Sequence, residues 1–167
     1  MIDLLKDSDG KAMGVKCRDN ITGQTFDVLA KAVVFAGGPF TDELRTLENP
    51  DCKPAVAAAA GTHIVLPGYM CPGGIGMLDI NTSDGRFLFF LPWQDHTLVG
   101  TTDRKGTATS YHGPPEEEIN WILNEVKKYI SSDIQVRRSD VLSAWQGWRP
   151  LASDPNLPPG MLHSSKR

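Results

Sequence analysis

GRFLFFLPWQDHTLVGTTD, residues 85–103, is the stretch whose reading decides the fold. Phe87 to Leu91 is an unbroken apolar run. It is too short for an ordinary helix and rich in aromatics, as suits a strand covered on both faces. Pro92 and Trp93 close that strand, and Gln94, Asp95 and His96 make a polar turn. Thr97 to Thr101 reads as the returning strand, so the whole stretch is a β-hairpin. Arg86 marks one end of it and Thr101-Thr102-Asp103 the other. A buried sheet with polar residues at its margins commonly builds one wall of a ligand pocket.

The hairpin sits in a chain of 167 residues, enough for one ordinary domain or parts of two. A chain of this length buries roughly 70% of its unfolded surface when compact. With 40% hydrophobic and 22% charged residues, the composition is that of a globular protein. A net charge of −3 and no basic run argue against a nucleic-acid surface. No apolar stretch is long enough to cross a bilayer as a helix. The N-terminal MIDLLKDSDG is acidic and has no hydrophobic signal core. Cys17, Cys52 and Cys71 are sparse, odd in number and without a CxxC pair, which fits reduced thiols better than a disulfide framework. Asn20-Ile21-Thr22 and Asn81-Thr82-Ser83 are glycosylation-type triplets of a kind common by chance.

Outward from the hairpin, turn signals organise the N-terminal part. Residues 2–6, 11–18 and 24–29 read as three strands of an antiparallel meander, with turns at Asp9-Gly10 and Asn20 to Gly23. Lys31 to Gly38 is an apolar strand ending in glycines. Thr41 then caps a short helix, Asp42 to Leu47, with carboxylates in its first turn. Ala55 to Ala60 is either helical by propensity or a place where backbone lies close to something flat. Thr62 to Pro67 reads as a strand, and Gly68 to Ser83 as an irregular excursion. The clearest helix opens at Pro114-Pro115-Glu116 and ends near Lys127-Lys128. Ile119, Ile122, Leu123, Val126 and Ile130 form its packing face, and its charges a solvated one. Val136 to Asp140 begins another strand that leads into Val141 to Leu151. A loose polar tail follows Asp154.

Few residues carry chemistry. His63, at the start of an apolar strand, is either a buried hydrogen-bonded histidine or a base at a pocket wall. Arg149, between Trp148 and Pro150, needs an anionic partner in such apolar company. That partner is either a structural carboxylate such as Asp154 or an anionic substrate. Arg86 carries the same ambiguity and leans towards a structural role. Thr101 to Asp103 can simply end a strand. Gly37-Gly38-Pro39 is either a tight turn or a place where a cofactor approaches the backbone ahead of a helix N-terminus. There is no GxGxxG, Walker or GxSxG motif. His63 and His112 lack metal-ligand spacing, and His96 and His112 fall in polar loops, so no metal is expected.

Taken together these segments resemble a known family. DGKAMGVKCRDNITGQTFDVLAKAVVFAGGPFTDELR is similar to the latter part of a flavoprotein FAD domain. THIVLPG, SDGRFLFFLPWQDHTLVGTTD, PPEEEINWILNEVKKYI and DVLSAWQGWRPLASDP continue the likeness in order. Over residues 2–158 the chain resembles the FAD-dependent glycerol-3-phosphate dehydrogenases, most of all the mitochondrial type. The resemblance implies an α+β fold of the D-amino-acid-oxidase-like superfamily, with an α/β FAD-binding portion and an antiparallel-sheet substrate domain. It implies residues 1–45 in the FAD domain, 55–143 in the substrate domain and 144–167 returning to the FAD domain.

The same resemblance implies FAD as cofactor, with Ala36, Gly37, Gly38 and Pro39 beside it. It implies sn-glycerol 3-phosphate as substrate, with His63 and Arg149 as catalytic and substrate-binding residues. It further implies quinone as electron acceptor and peripheral attachment to the mitochondrial inner membrane. Ala36-Gly37-Gly38-Pro39 departs slightly from the family's usual Ala-Thr/Ala-Gly-Pro, and Trp148 is bulkier than the residue usual before the arginine. The family's GxGxxG would precede Met1, and a basic and glycine-rich segment would follow Arg167. The expectation is therefore the middle of an enzyme, inactive by itself. Two alternatives stay open: another FAD-dependent amine or amino-acid oxidoreductase, and a non-catalytic remnant without FAD.

Overall fold

A computed structural model describes residues 1–110 and 113–153. The chain divides into two compact units: Met1–Val56 joined by Ala152 and Ser153, and Ala57–Leu151. The loose tail expected after Asp154, and His112, lie outside the described residues.

The first unit begins with the expected meander. Strands β1 (Asp3–Lys6), β2 (Ala12–Arg18) and β3 (Thr25–Leu29) pair antiparallel in that order. Side chains close the turns: Asp7 accepts the amide of Lys11 at 2.8 Å, and Asp19 that of Ile21 at 2.8 Å. Helix α1 (Thr41–Glu48) follows a 3₁₀ turn over Gly38–Phe40. Thr41 does not cap it; its hydroxyl donates back to the carbonyl of Gly38 at 2.8 Å. Asp42 does the fastening instead, pairing with Arg45 at 2.7 Å and accepting the amides of Ala55 and Val56 at 3.0 and 2.9 Å.

The strand expected over 31–38 is absent. Residues 31–37 lie in no sheet, and Val34 is 84% exposed. An apolar run becomes a strand only beside an unpaired edge, and neither edge of the meander takes this one.

The second unit is a six-stranded antiparallel sheet with one helix packed on it. Its strands are β4 (Val56–Pro67), β5 (Met77–Asp79), β6 (Leu88–Trp93), β7 (His96–Gly100), β8 (Arg104–Lys105) and β9 (Ser143–Ala152). The order is β5-β6-β7-β4-β8, and β9 also pairs with β4. The decisive hairpin is β6–β7, tightened by a two-residue turn at Gln94 and Asp95, both with positive φ. The alanine run 55–60 is neither helical nor a separate feature. It is the first half of β4, pairing through Ala59 and Ala60 with β8, so strand partners override helix propensity there. No strand forms over 136–140. Arg138–Asp140 is a 3₁₀ turn in which Asp140 accepts the amide of Arg137 at 2.7 Å.

Helix α2 (Glu116–Val126) covers one face of the sheet. Ile64, Leu66, Leu88, Phe90 and Val99 meet Ile119, Ile122, Leu123 and Val126 there. Buried residues alternate over Thr62 to Leu66 of β4 and Leu88 to Phe90 of β6, so His63, Val65 and Phe89 point to the other face. The expected cover on both faces is therefore not found within the unit: Phe87 is 62% and Leu91 40% exposed.

Nor are all the charges of α2 solvated. Glu118 is buried and accepts the hydroxyls of Thr62 and of Thr102, the latter at 2.6 Å. Arg104 pairs with the same carboxylate at 3.2 Å. Glu125 is buried too, taking the Ser83 hydroxyl and Lys128, each at 2.5 Å. Both carboxylates tie the helix to the sheet side through partners that satisfy them, which is the condition for burying charge.

Candidate functional site

The uncovered face of the second unit's sheet brings His63 and Arg149 together. His63 belongs to β4, where it stands opposite Gly100 of β7, and Gly100 stands opposite Phe89 of β6. Glycine in the middle strand leaves room for the imidazole to lie over it; a Cβ at Gly100 would overlap the ring. The ring thereby reaches Phe89, with centroids 5.6 Å apart and planes at 40°. From β9, Trp145 stacks on it at 5.4 Å and 10°. Nδ1 of His63 is buried without a hydrogen-bond partner, so the stacked rings carry much of the task of orienting the imidazole. Burial, and then the charge of Arg149, hold its pKa below the ordinary histidine value, against a smaller upward pull from the backbone of Gly61.

Arg149 uses the same device. Its guanidinium lies over Gly61, two residues before His63, and a Cβ there would overlap it. Nη2 donates to the Thr101 hydroxyl at 2.6 Å, and Nη1 to the Thr102 carbonyl at 3.4 Å. Among the described residues, the carboxylate paired with it is that of Asp103, 3.8 Å away. Both polar ends expected of the hairpin, together with Arg149, border one pocket of 310 Å³, lined by Arg86, Phe87, Thr101, Asp103, Arg149 and Leu151. Arg86 is already engaged: Asp84 holds it at 2.6 Å, and its guanidinium lies 3.8 Å over the Trp121 ring. Arg149 is therefore the looser cation at the pocket, held by a hydroxyl and a carbonyl and only distantly by a carboxylate. The alternative partner Asp154 lies outside the described residues.

Ala36, Gly37, Gly38 and Pro39 belong to the first unit. Gly37 has a packing reason to be glycine, since a Cβ would press within 2.8 Å of the Leu44 side chain. Gly38 has a backbone reason, with φ +56° and open space where a Cβ would stand. A bare, open backbone ahead of a helix is what a flat or anionic cofactor group requires, so these residues fit one. Among the described residues no group of three His, Cys, Asp or Glu side chains is placed to hold a metal ion, and no helix is long and apolar enough to cross a membrane.

Sequence reasoning missed Phe89, Trp145, Gly61 and Gly100 as parts of this site. The one signal available was glycine inside an apolar strand, which often marks a close approach.

The model of the FAD dependent oxidoreductase family matches residues 2–163. Among characterised proteins, the chain is 51% identical over 93% of its length to the mitochondrial glycerol-3-phosphate dehydrogenases of Mus musculus and Homo sapiens. It is 49% identical over 92% to a probable one of Caenorhabditis elegans. The chain spans only 22% of the length of the mouse and human proteins. Among solved structures, the glycerol-3-phosphate dehydrogenase of Bacillus halodurans complexed with FAD matches with a TM-score of 0.79 at 30% identity. That match covers 90% of this chain and 30% of the other.

Proposed function

The chain belongs to the FAD dependent oxidoreductase family, and on that premise we propose that it carries the substrate-side machinery of a glycerol-3-phosphate dehydrogenase. The reaction is oxidation of sn-glycerol 3-phosphate at its secondary carbinol to dihydroxyacetone phosphate. The observation that carries this reading is the pairing of His63 and Arg149 on one sheet face, in a chain 51% identical to such dehydrogenases.

The phosphate requires a cation, and Arg149 supplies a forked one whose hydrogen-bond acceptors are neutral oxygens that an anion can outcompete, with the Asp103 carboxylate only at 3.8 Å. The secondary hydroxyl must give up its proton as the carbon loses a hydride. His63, with its pKa held down by burial and by Arg149, is a free base at neutral pH and can take that proton at its imidazole. FAD, when bound, supplies the hydride acceptor. Ala36, Gly37, Gly38 and Pro39 are the residues of this chain assigned to hold it, on the strength of the open backbone at Gly38. Quinone as the final acceptor and peripheral attachment to the mitochondrial inner membrane complete the proposal; the names of the relatives support the mitochondrial compartment.

The test is His63→Asn in a full-length enzyme carrying this segment. Turnover is expected to fall by about 10²- to 10⁴-fold, the usual contribution of a general base, with a much smaller change in KM. An unchanged rate would remove His63 from the chemistry. Oxidation of glycine or sarcosine in preference to glycerol 3-phosphate would overturn the substrate assignment.

A further inference from the structure

The imidazole of His63 has no hydrogen bond at its buried nitrogen to fix its plane. Histidines that act on substrates are ordinarily oriented by a hydrogen bond from the ring nitrogen not in use. Here three neighbours take that part. Gly100 is the floor, and Phe89, from the same sheet, touches the ring at a tilt. Only Trp145 lies parallel to the imidazole, 5.4 Å from it centroid to centroid. Trp145 is itself 42% exposed, so its indole stands between the imidazole and the outside rather than filling a core.

We infer that Trp145 is a positioning residue, whose stacked indole sets the plane of the His63 ring and keeps water from it. Parallel aromatic pairs at such separations are worth about 0.5–1.5 kcal/mol beyond the area they bury. That is enough to favour one ring orientation where the buried Nδ1 makes no hydrogen bond. The groups packed against the ring are otherwise simple in charge. Arg149 of β9 is the one charged neighbour identified as acting on it, while Phe89, Gly100 and Trp145 carry no charge. Removing the indole therefore changes hydration of the ring and leaves the neighbouring cation in place.

The consequence for the ring stands by itself; the consequence for turnover rests on the proposed role of His63 as base. The first is measured on the full 167-residue chain by NMR titration of its four histidines, with the His63 signal identified by its loss in His63→Asn. In Trp145→Ala the His63 midpoint is expected to rise. It should stay short of the ordinary value of about 6.5, because Arg149 remains. In Trp145→Phe, which keeps a ring to stack, the midpoint should stay where it is in the parent. A midpoint unmoved in Trp145→Ala overturns the inference, and so does a Phe variant displaced as far as the Ala variant. Should Trp145→Ala fail to fold, Trp145→Leu, apolar but without a ring face, makes the same comparison.

In the full-length enzyme, Trp145→Ala should lower kcat by about ten- to a hundredfold, the scale of a misplaced catalytic group. KM should change little, and Phe should restore the rate. An unaffected kcat with a displaced midpoint, or normal turnover by His63→Asn, would sink the base role of His63 and leave the stacking role intact.

Discussion

The two side chains with the most chemistry in this protein both rest on glycine. Arg149 covers Gly61 and His63 covers Gly100, and in each case a Cβ would occupy the same space as the functional group. Gly61→Ala is therefore expected to push the guanidinium away from Thr101 while leaving the fold nearly intact, since the obstructing atoms are the far end of a flexible side chain. A guanidinium so displaced forfeits its charged hydrogen bond to an anionic substrate, about 1.5–3 kcal/mol, which converts to a rise of about ten- to a hundredfold in KM. Thermal unfolding should move far less. Gly100→Ala should instead depress kcat, because it displaces His63. Steady-state kinetics of the two variants in a full-length enzyme separates the roles; equal effects on both constants would sink the separation. His63 and Arg149 were readable as candidates because a histidine opening an apolar strand and an arginine in a Trp-Arg-Pro corner are chemically out of place. Their supports were not readable. Gly100 supports His63 only because the strand register sets it opposite both His63 and Phe89, and register is a property of the sheet, not of any one segment.

At the level of elements, the docking of α2 depends on Glu118. Two buried threonine hydroxyls, of Thr62 and Thr102, converge on its carboxylate, and Thr102 in turn accepts the amide of Thr62 at 2.8 Å. Thr62 immediately precedes His63, so this polar link holds the core side of the strand whose other side presents the imidazole. Glu118→Ala strands both hydroxyls in a dry setting, at about 1–3 kcal/mol for each group left unsatisfied. A loss of about 2–6 kcal/mol is expected in urea unfolding, with a milder one for Glu118→Gln, which keeps an accepting oxygen. A loss under about 0.5 kcal/mol, the level of an ordinary surface change, would mean that α2 is held by its apolar face alone. That face, Ile119 to Val126, was plain in the sequence from its spacing, as was the hairpin from its length and turn. The buried state of Glu118 and Glu125 was not, because a charge on a helix gives no sign of hydroxyls waiting on another strand. For the same reason the apolar run 31–37 promised a strand without revealing that no sheet edge would receive it, and the alanines of β4 kept their helix propensity while pairing as a strand.

For the molecule as a whole, the titrating groups set how stability depends on pH, and the two acid-side effects share a sign. His63 is held below its ordinary value first by burial and then by Arg149. The unfolded chain therefore takes up a proton near pH 6.5 that the folded one resists, and stability falls as pH drops through that region. Burial would raise the carboxyls of Asp42 and Glu125, but Arg45 and backbone amides on the first, and Lys128 and Ser83 on the second, hold both below the carboxylate range. Their contribution is complete above about pH 4.5 and disappears as pH falls through their depressed values. On the alkaline side the sign reverses. A hydrogen bond to Asp79, with burial and the nearby negative charges, pushes Tyr129 up to about 12. Its contribution is full below the ordinary tyrosine value of about 10 and is lost as pH rises towards 12. Denaturation midpoints measured from pH 3 to 11 should therefore decline in two steps on the acid side and again above 10. His63→Asn should flatten the step near pH 6 and leave the one below pH 4.5, Glu125→Gln should shrink the lower step, to which Asp42 still contributes, and leave the one near pH 6, and Tyr129→Phe should flatten the alkaline decline. A step near pH 6 that survives in His63→Asn would assign it to another histidine and leave the imidazole of His63 no drier than the rest.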